Sequence, residues 1–162
     1  MEIYTDNKQY ANDTITGHAD WRELQMSRLH PGLRQLCEDI FPGQDIHQAT
    51  TGSIGCWRHA FLVDEAPSSH YDLMVEMSGR REELPHGIIC LARSGRDFHG
   101  QRGRPWATQP GNIHLTAFLS PNRPIERFHI GFSLLASVNI LLSVLITLKC
   151  ATHPSPFAYP SS

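Results

Sequence analysis

Residues 94–116 read SGRDFHGQRGRPWATQPGNIHLT, and the heptapeptide GQRGRPW at 100–106 gathers two glycines, two arginines and a tryptophan. Glycine lets the backbone come close to a ligand, and successive free N–H groups make an anion-binding concavity. Arginine adds a planar fork that matches phosphate and carboxylate oxygens. Trp106 is placed to anchor the loop to a core. Together these residues suit a phosphate- or adenylate-binding loop. The same composition also suits a solvated loop with its arginines in water. The stretch is not a nucleotide P-loop, because no Gly-Lys-Ser/Thr follows. It is not a dinucleotide fingerprint either, because no helix opens directly after it.

Other residues with chemical potential are scattered. Ten histidines are present in 162 residues, yet no two stand at the HxxxH spacing that places two ligands on one helical face. Cys37, Cys56, Cys90 and Cys150 form no CxxC pair, so no metal site is expected and free thiols in a reducing, cytoplasmic compartment are. The amino-terminal stretch lacks the basic and apolar regions of a secretory signal. A formal net charge of −2 argues against a general nucleic-acid binder, and 40% hydrophobic residues suit one folded domain.

The elements that must carry the loop follow from periodicity. Residues 1–18 show no apolar period and are expected to be loosely attached. ADWRELQMSRL (19–29) is expected to form a helix, as is HPGLRQLCEDIF (30–41), where Leu33, Leu36 and Ile40 recur at helical spacing behind Pro31. QATTGSIGCW (48–57) reads as loop. HAFLVDEA (59–66) reads as a buried strand, PSSHYDLMVEMSG (67–79) as a helix opened by Ser68 or Ser69, and HGIICLAR (86–93) as a second β-rich run. NIHLTAFL (112–119) alternates with a period of two, the pattern of a strand with one buried face. Helices alternating with β-rich runs indicate a mixed α/β or α+β domain.

With these elements in order, GQRGRPWATQPGNIHLT resembles the signature loop of biotin–protein ligases. That loop has the form GRGRxGRxW, followed by a GN turn and a strand. Gly100, Arg102, Gly103, Arg104 and Trp106 stand at matching positions, and Gly111 and Asn112 match the turn. Upstream, VDEAPSSHYDLMVE resembles the family's strand and "STN" helix start, with Ser68 and Ser69 for Ser-Thr and His70 for Asn. The sequence departs at Phe98-His99, which replace the first Gly-Arg, at Gln101, which replaces an arginine, and at Gly95, near the place of a glutamine. Lipoate–protein ligases share that family's fold and also bind an acyl-adenylate, so the resemblance extends to that group.

The resemblance implies a mixed sheet flanked by helices, of the kind shared with class II aminoacyl-tRNA synthetases. It implies an enzyme that activates biotin or lipoate with ATP and Mg²⁺ and passes the acyl group to a lysine of a biotin or lipoyl carrier domain. It assigns Arg102 and Arg104 to phosphate or carboxylate contact and Gly100 and Gly103 to close backbone approach. Ser68, Ser69 and His70 would meet the acyl head group, with Gln101, Trp106, Gly111 and Asn112 completing the wall. Lys149 stands where the family has the lysine of a K-W-x-N-D strand, but Trp, Asn and Asp do not follow it.

The expected organisation is an unassigned two-helix extension at 1–58, a partial ligase domain at 59–148 and a Pro/Ser-rich disordered tail at 149–162, with the domain truncated and its activity impaired. Two alternatives stand beside this: a non-catalytic remnant or small-ligand-binding module, and a tail-anchored membrane protein. Residues 130–148 are uncharged and long enough to span a bilayer. Asn139, Thr147 and three serines weaken insertion, and the resemblance assigns the segment to a buried helix, so a membrane partner is not expected.

Overall fold

The structure, a computed structural model, describes residues 1–15, 19–52, 55–80, 83–108 and 111–120. Two apolar runs form its centre. Strand β4 (His59–Ala66) and strand β5 (Ile88–Gly95) lie parallel, with Phe61 beside Cys90 and Val63 beside Ala92. Parallel neighbours require a crossover, and helix α3 (His70–Gly79) supplies it. Ser69 caps this helix, its Oγ accepting from the Asp72 N–H at 3.3 Å.

Strand β1 (Glu2–Thr5) runs parallel to β4 on its other side and is followed by helix α1 (Lys8–Thr14). Strand β3 (His47–Thr50) is antiparallel to β1, and the two-residue strand β2 (Arg22–Glu23) forms that edge of the sheet. Strand β6 (His114–Phe118) closes the other edge antiparallel to β5, giving the order β2-β3-β1-β4-β5-β6. The chain is therefore a mixed α/β fold on a six-stranded mixed sheet. Helix α2 (Pro31–Ile40), with Pro31 in its first turn, joins α3 on one face. There Leu33, Leu36, Ile40, Met74 and Met77 pack with Tyr4, Phe61, Val63 and Ile88. Ala11 of α1 packs with Ile3, Ala60 and Leu62 in a second cluster.

Three expectations change. The first residues are not loosely attached: Ile3 and Tyr4 are buried at the middle of the sheet. Four residues are too few to show a period, and a strand covered on both faces has no polar side to reveal it. Residues 19–29 do not form the expected helix. Leu24 donates to the Ile46 carbonyl at 2.9 Å, and Arg22 and Glu23 pair with Gln48 and His47, so a long-range ladder overrides local helix propensity. The predicted loop 48–57 begins as β3. Residues 1–58 supply three of the six described strands, and contacts join Met1–Ser120 into one unit.

Strand β6 turns opposite to its hydrophobic pattern. His114 is buried and Thr116 half-buried, while Leu115 is 53% exposed and Ile113 80% exposed. Pairing of His114 with Ala92 and of Thr116 with Cys90 places both on the α3 side of the sheet. Register is set by the β5 ladder and the position of α3, and a period of two cannot say which face is inward.

Lys149 and the apolar segment 130–148 lie outside the described residues, as does the tail at 149–162. Among the described residues no helix is long and apolar enough to cross a membrane.

Candidate functional site

The loop that motivated the sequence reading leaves the carboxyl end of β5, beside the carboxyl end of its parallel neighbour β4. The Arg96 N–H donates to the Ala66 carbonyl at 3.0 Å, tying the two strand ends together. The chain then forms a small ladder of its own. Trp106 N–H donates to the Phe98 carbonyl and Gly100 N–H to the Arg104 carbonyl, both at 2.8 Å, and His99 bridges Pro105. A short 3-10 turn, Gln101–Gly103, forms the tip. Thr108 Oγ1 donates to the Gly95 carbonyl at 3.0 Å and fastens the returning strand.

The tip carries backbone strain. Arg102 has φ 64° and ψ 29°, followed by Gly103 at φ 67°. Glycine adopts this left-handed region freely, whereas a side-chain-bearing residue is held there at a cost of about 1–3 kcal/mol. Arg102 and Arg104 are both exposed, and among the described residues neither has an ion-pair partner. By contrast, Arg96 pairs with Glu65 at 3.0 Å, and Arg93 pairs with Asp64. Among the described residues the loop thus holds two cations without an ion-pair partner at its apex.

Other predicted residues are placed differently from expectation. Trp106 is 58% exposed and does not anchor the loop to the core. Its indole covers Gly100, where an added Cβ would meet Trp106 Nε1 at 2.7 Å. Gly100 is therefore needed for packing inside the loop, and its N–H is already engaged. Among the described residues, an added Cβ at Gly103 would meet nothing within 4 Å. Trp106 and Asn112 line one open groove of about 290 Å³ with Ala107, Ile113 and His114. The Asn112 side-chain amide donates to the Ala107 carbonyl at 3.2 Å, and Gly111 has φ 90° at the turn before it. Ser68 is half-buried, Ser69 is the helix cap, and His70 is 2% exposed.

The start of α3 meets this loop directly. His99 Nε2 lies 2.7 Å from Asp72 Oδ2, linking the loop to the first turn of the helix. The Gly100 carbonyl first, and Asp72 second, hold the His99 pKa above its ordinary value. His70 Nδ1 lies 2.8 Å from Thr116 Oγ1 on β6. Burial first, and the neighbouring His114 second, push His70 down to about 4, so this imidazole is neutral at neutral pH. Phe98 lies between the two histidines, stacked on His114 with centroids 4.8 Å apart and edge-on to His70 at 5.3 Å.

Sequence reasoning noted His70 and the Phe98-His99 departure but missed His114, Thr116 and Asp72. The available signal was the polar side of β6, since His114 and Thr116 share one face of an alternating strand.

Two further features carry less. A larger depression of about 610 Å³ lies at the opposite edge, beside Arg22, Glu23, Arg28 and Gln48. It mixes both charge signs and lies away from the loop. Burial pushes the Cys37 thiol up to about 12 and Cys90 well above its ordinary value, which keeps both buried thiols protonated at neutral pH. Among the described residues no three His, Cys, Asp or Glu side chains are grouped to hold a metal ion. Comparison with known proteins finds no matching family model, no similar curated protein and no similar solved structure.

Proposed function

We propose that the β5–β6 loop binds the phosphate of an acyl-adenylate, and that the chain is a biotin- or lipoate-type protein ligase domain. The observation that carries this reading is the loop apex. Arg102 and Arg104 stand exposed and unpaired among the described residues, on a strained left-handed turn beside a groove lined by Trp106, Asn112 and His114. Strain retained at an exposed arginine is explained when that side chain must be presented to a ligand.

ATP would supply the adenylyl group that activates the acid. The chain's own part is electrostatic. Bringing a carboxylate to a triphosphate joins two anions, and preorganised cations lower the barrier without rearranging during reaction. Arg102 and Arg104 would offset that charge, and Gly103, where an added Cβ would meet nothing within 4 Å among the described residues, would allow backbone approach. Neutral His70 and the Ser69 hydroxyl would offer hydrogen bonds to the uncharged head group, with Trp106 as a wall. Mg²⁺ would arrive on the nucleotide phosphates, since among the described residues the carboxylates and imidazoles are not grouped in threes that could hold a cation. The acyl acceptor would be a carrier-domain lysine.

Pyrophosphate exchange into ATP, measured with the full chain and biotin, lipoate or octanoate in turn, tests the reading. Exchange with one acid that disappears in Arg102→Ala is the expected result. Exchange with none of the acids would remove the ligase reading. A non-catalytic ligand-binding module is the second reading, favoured by Phe98 filling the space between His70 and His114. Adenylate binding without exchange would select it.

A further inference from the structure

Strand β2 is shorter than the strand it pairs with, and the difference leaves a notch in that edge of the sheet. β2 holds only Arg22 and Glu23, opposite Gln48 and His47, whereas β3 runs on to Thr50. Backbone groups along an antiparallel strand turn alternately to its two neighbours. The Leu24 N–H bonds the Ile46 carbonyl, so Ile46, Gln48 and Thr50 turn toward the β2 side. The Thr51 N–H bonds the Met1 carbonyl, so Ala49 and Thr51 turn toward β1. The Thr50 N–H and C=O therefore face the side on which β2 has already ended. Among the described residues neither has a backbone partner there.

The depression of about 610 Å³ lies at this notch, with Gln48, Ala49 and Thr50 in its lining, and its size is that of a small-ligand site. The rest of the lining is charged. Asp20, Arg22, Glu23 and Arg28 are all exposed, and among the described residues none of them forms an ion pair. Elsewhere on the sheet opposite charges do meet, as in Arg93–Asp64 and Arg96–Glu65. Two cations and two carboxylates that line one depression without pairing leave both signs open to a ligand.

The lining is also held from behind. Glu2 accepts from Gln48 Nε2 at 2.6 Å and from Thr50 Oγ1 at 3.0 Å, which leaves the Thr50 hydroxyl as an acceptor only. Arg34 Nε donates to the Met26 carbonyl at 3.1 Å and ties the 3-10 turn Met26–Arg28 to helix α2. Groups positioned before a ligand arrives lower the ordering cost of binding it.

We propose that the notch binds a short extended peptide, which pairs with the Thr50 backbone as a continuation of β2 and sets a carboxylate against Arg22 and Arg28 and an ammonium against Asp20 and Glu23. Main-chain pairing to an open sheet edge tolerates many side chains, and the charges fix the direction of the peptide. The guanidinium forks match a carboxylate in shape as well as in charge. The inference does not depend on the loop binding an adenylate, and its test measures no exchange activity.

The test uses unblocked trialanine, a zwitterion, and acetyl-trialanine-amide, the same backbone without charge, with the full chain. Binding is read by calorimetry and by the backbone amide ¹⁵N–¹H signal of Thr50. Trialanine should shift that signal and bind at least about tenfold more tightly than the blocked peptide. Thr50→Pro removes the N–H that faces the notch and touches no bond to β1, and Thr50→Val removes only the hydroxyl. Trialanine should bind Thr50→Pro at least about fivefold more weakly than Thr50→Val, and Arg28→Ala at least about fivefold more weakly than the unsubstituted chain. Absent trialanine binding, an unmoved Thr50 amide signal, or equal affinity for the two peptides overturns the proposal. So does equal affinity of Thr50→Pro and Thr50→Val, which would mean ionic attraction without strand pairing. If Thr50→Pro loses its cooperative thermal transition, the Thr50 amide signal of the unsubstituted chain and the Arg28→Ala affinity decide, and an unchanged value of either overturns the proposal.

Discussion

Acid should loosen this fold through His70. The group is buried between α3 and β6, senses the charge of His114 on β6, and stands two residues before Asp72 of the Asp72–His99 pair. Its pKa falls from an ordinary 6.5 to about 4 on folding, chiefly by burial. Between those values the unfolded chain holds more protons than the folded one, so stability rises with pH across that window. The contribution is complete above about pH 6.5 and is lost progressively as pH falls toward 4. A depression of that size amounts to about 3 kcal/mol, a substantial part of a typical domain stability of about 5–15 kcal/mol. Urea unfolding at a series of pH values between neutrality and pH 4 would measure it, with His70→Phe as the non-titrating ring. The variant starts less stable at neutral pH, having lost the Thr116 hydrogen bond, but its stability should decline less on acidification. The difference between the two slopes cancels the carboxylates common to both proteins, including Asp6, whose pKa burial raises. Parallel pH profiles for the two proteins would refute the reasoning.

Gly87→Ala should destabilise the chain by more than about 2 kcal/mol, because φ is +80° there and the new Cβ would lie 2.2 Å from the Cys56 carbonyl oxygen; an unchanged urea midpoint would contradict the packing described. Arg102→Gly should do the reverse, raising stability by up to about 1 kcal/mol by releasing the left-handed strain while abolishing pyrophosphate exchange. Paired unfolding and exchange measurements check both halves. The His99–Asp72 link should be at full strength below the ordinary histidine pKa and weaken as pH rises through the raised value. Asp72→Asn should lower the His99 pKa in an NMR titration without removing the whole elevation, since the Gly100 carbonyl is its larger cause.

Local order was legible in the residues wherever a long enough run carried its own period. Leu33, Leu36 and Ile40 marked α2, the Ser68-Ser69 pair marked the start of α3 without choosing between them, and the apolar runs of β4 and β5 marked the two central strands. The position of GQRGRPW between two strands also followed from the chain, because two β-rich runs flank it. The strain at Arg102, however, appears only in the backbone, and the exposure of Trp106 depends on where the ladder at 98–106 lies.

Pairing partners decided the remainder. EIYT became a central strand because β3 and β4 flank it, information held some 40 to 60 residues away. Residues 22–23 became strand because β3 offered an open edge. His70, Phe98 and His114 come from a helix, a loop and an edge strand, and their convergence depends on β6 presenting its polar side to α3. Sequence periodicity records which side chains share a face. It cannot record which face the ladder and the covering helix turn inward, because burial is settled by contacts between distant segments.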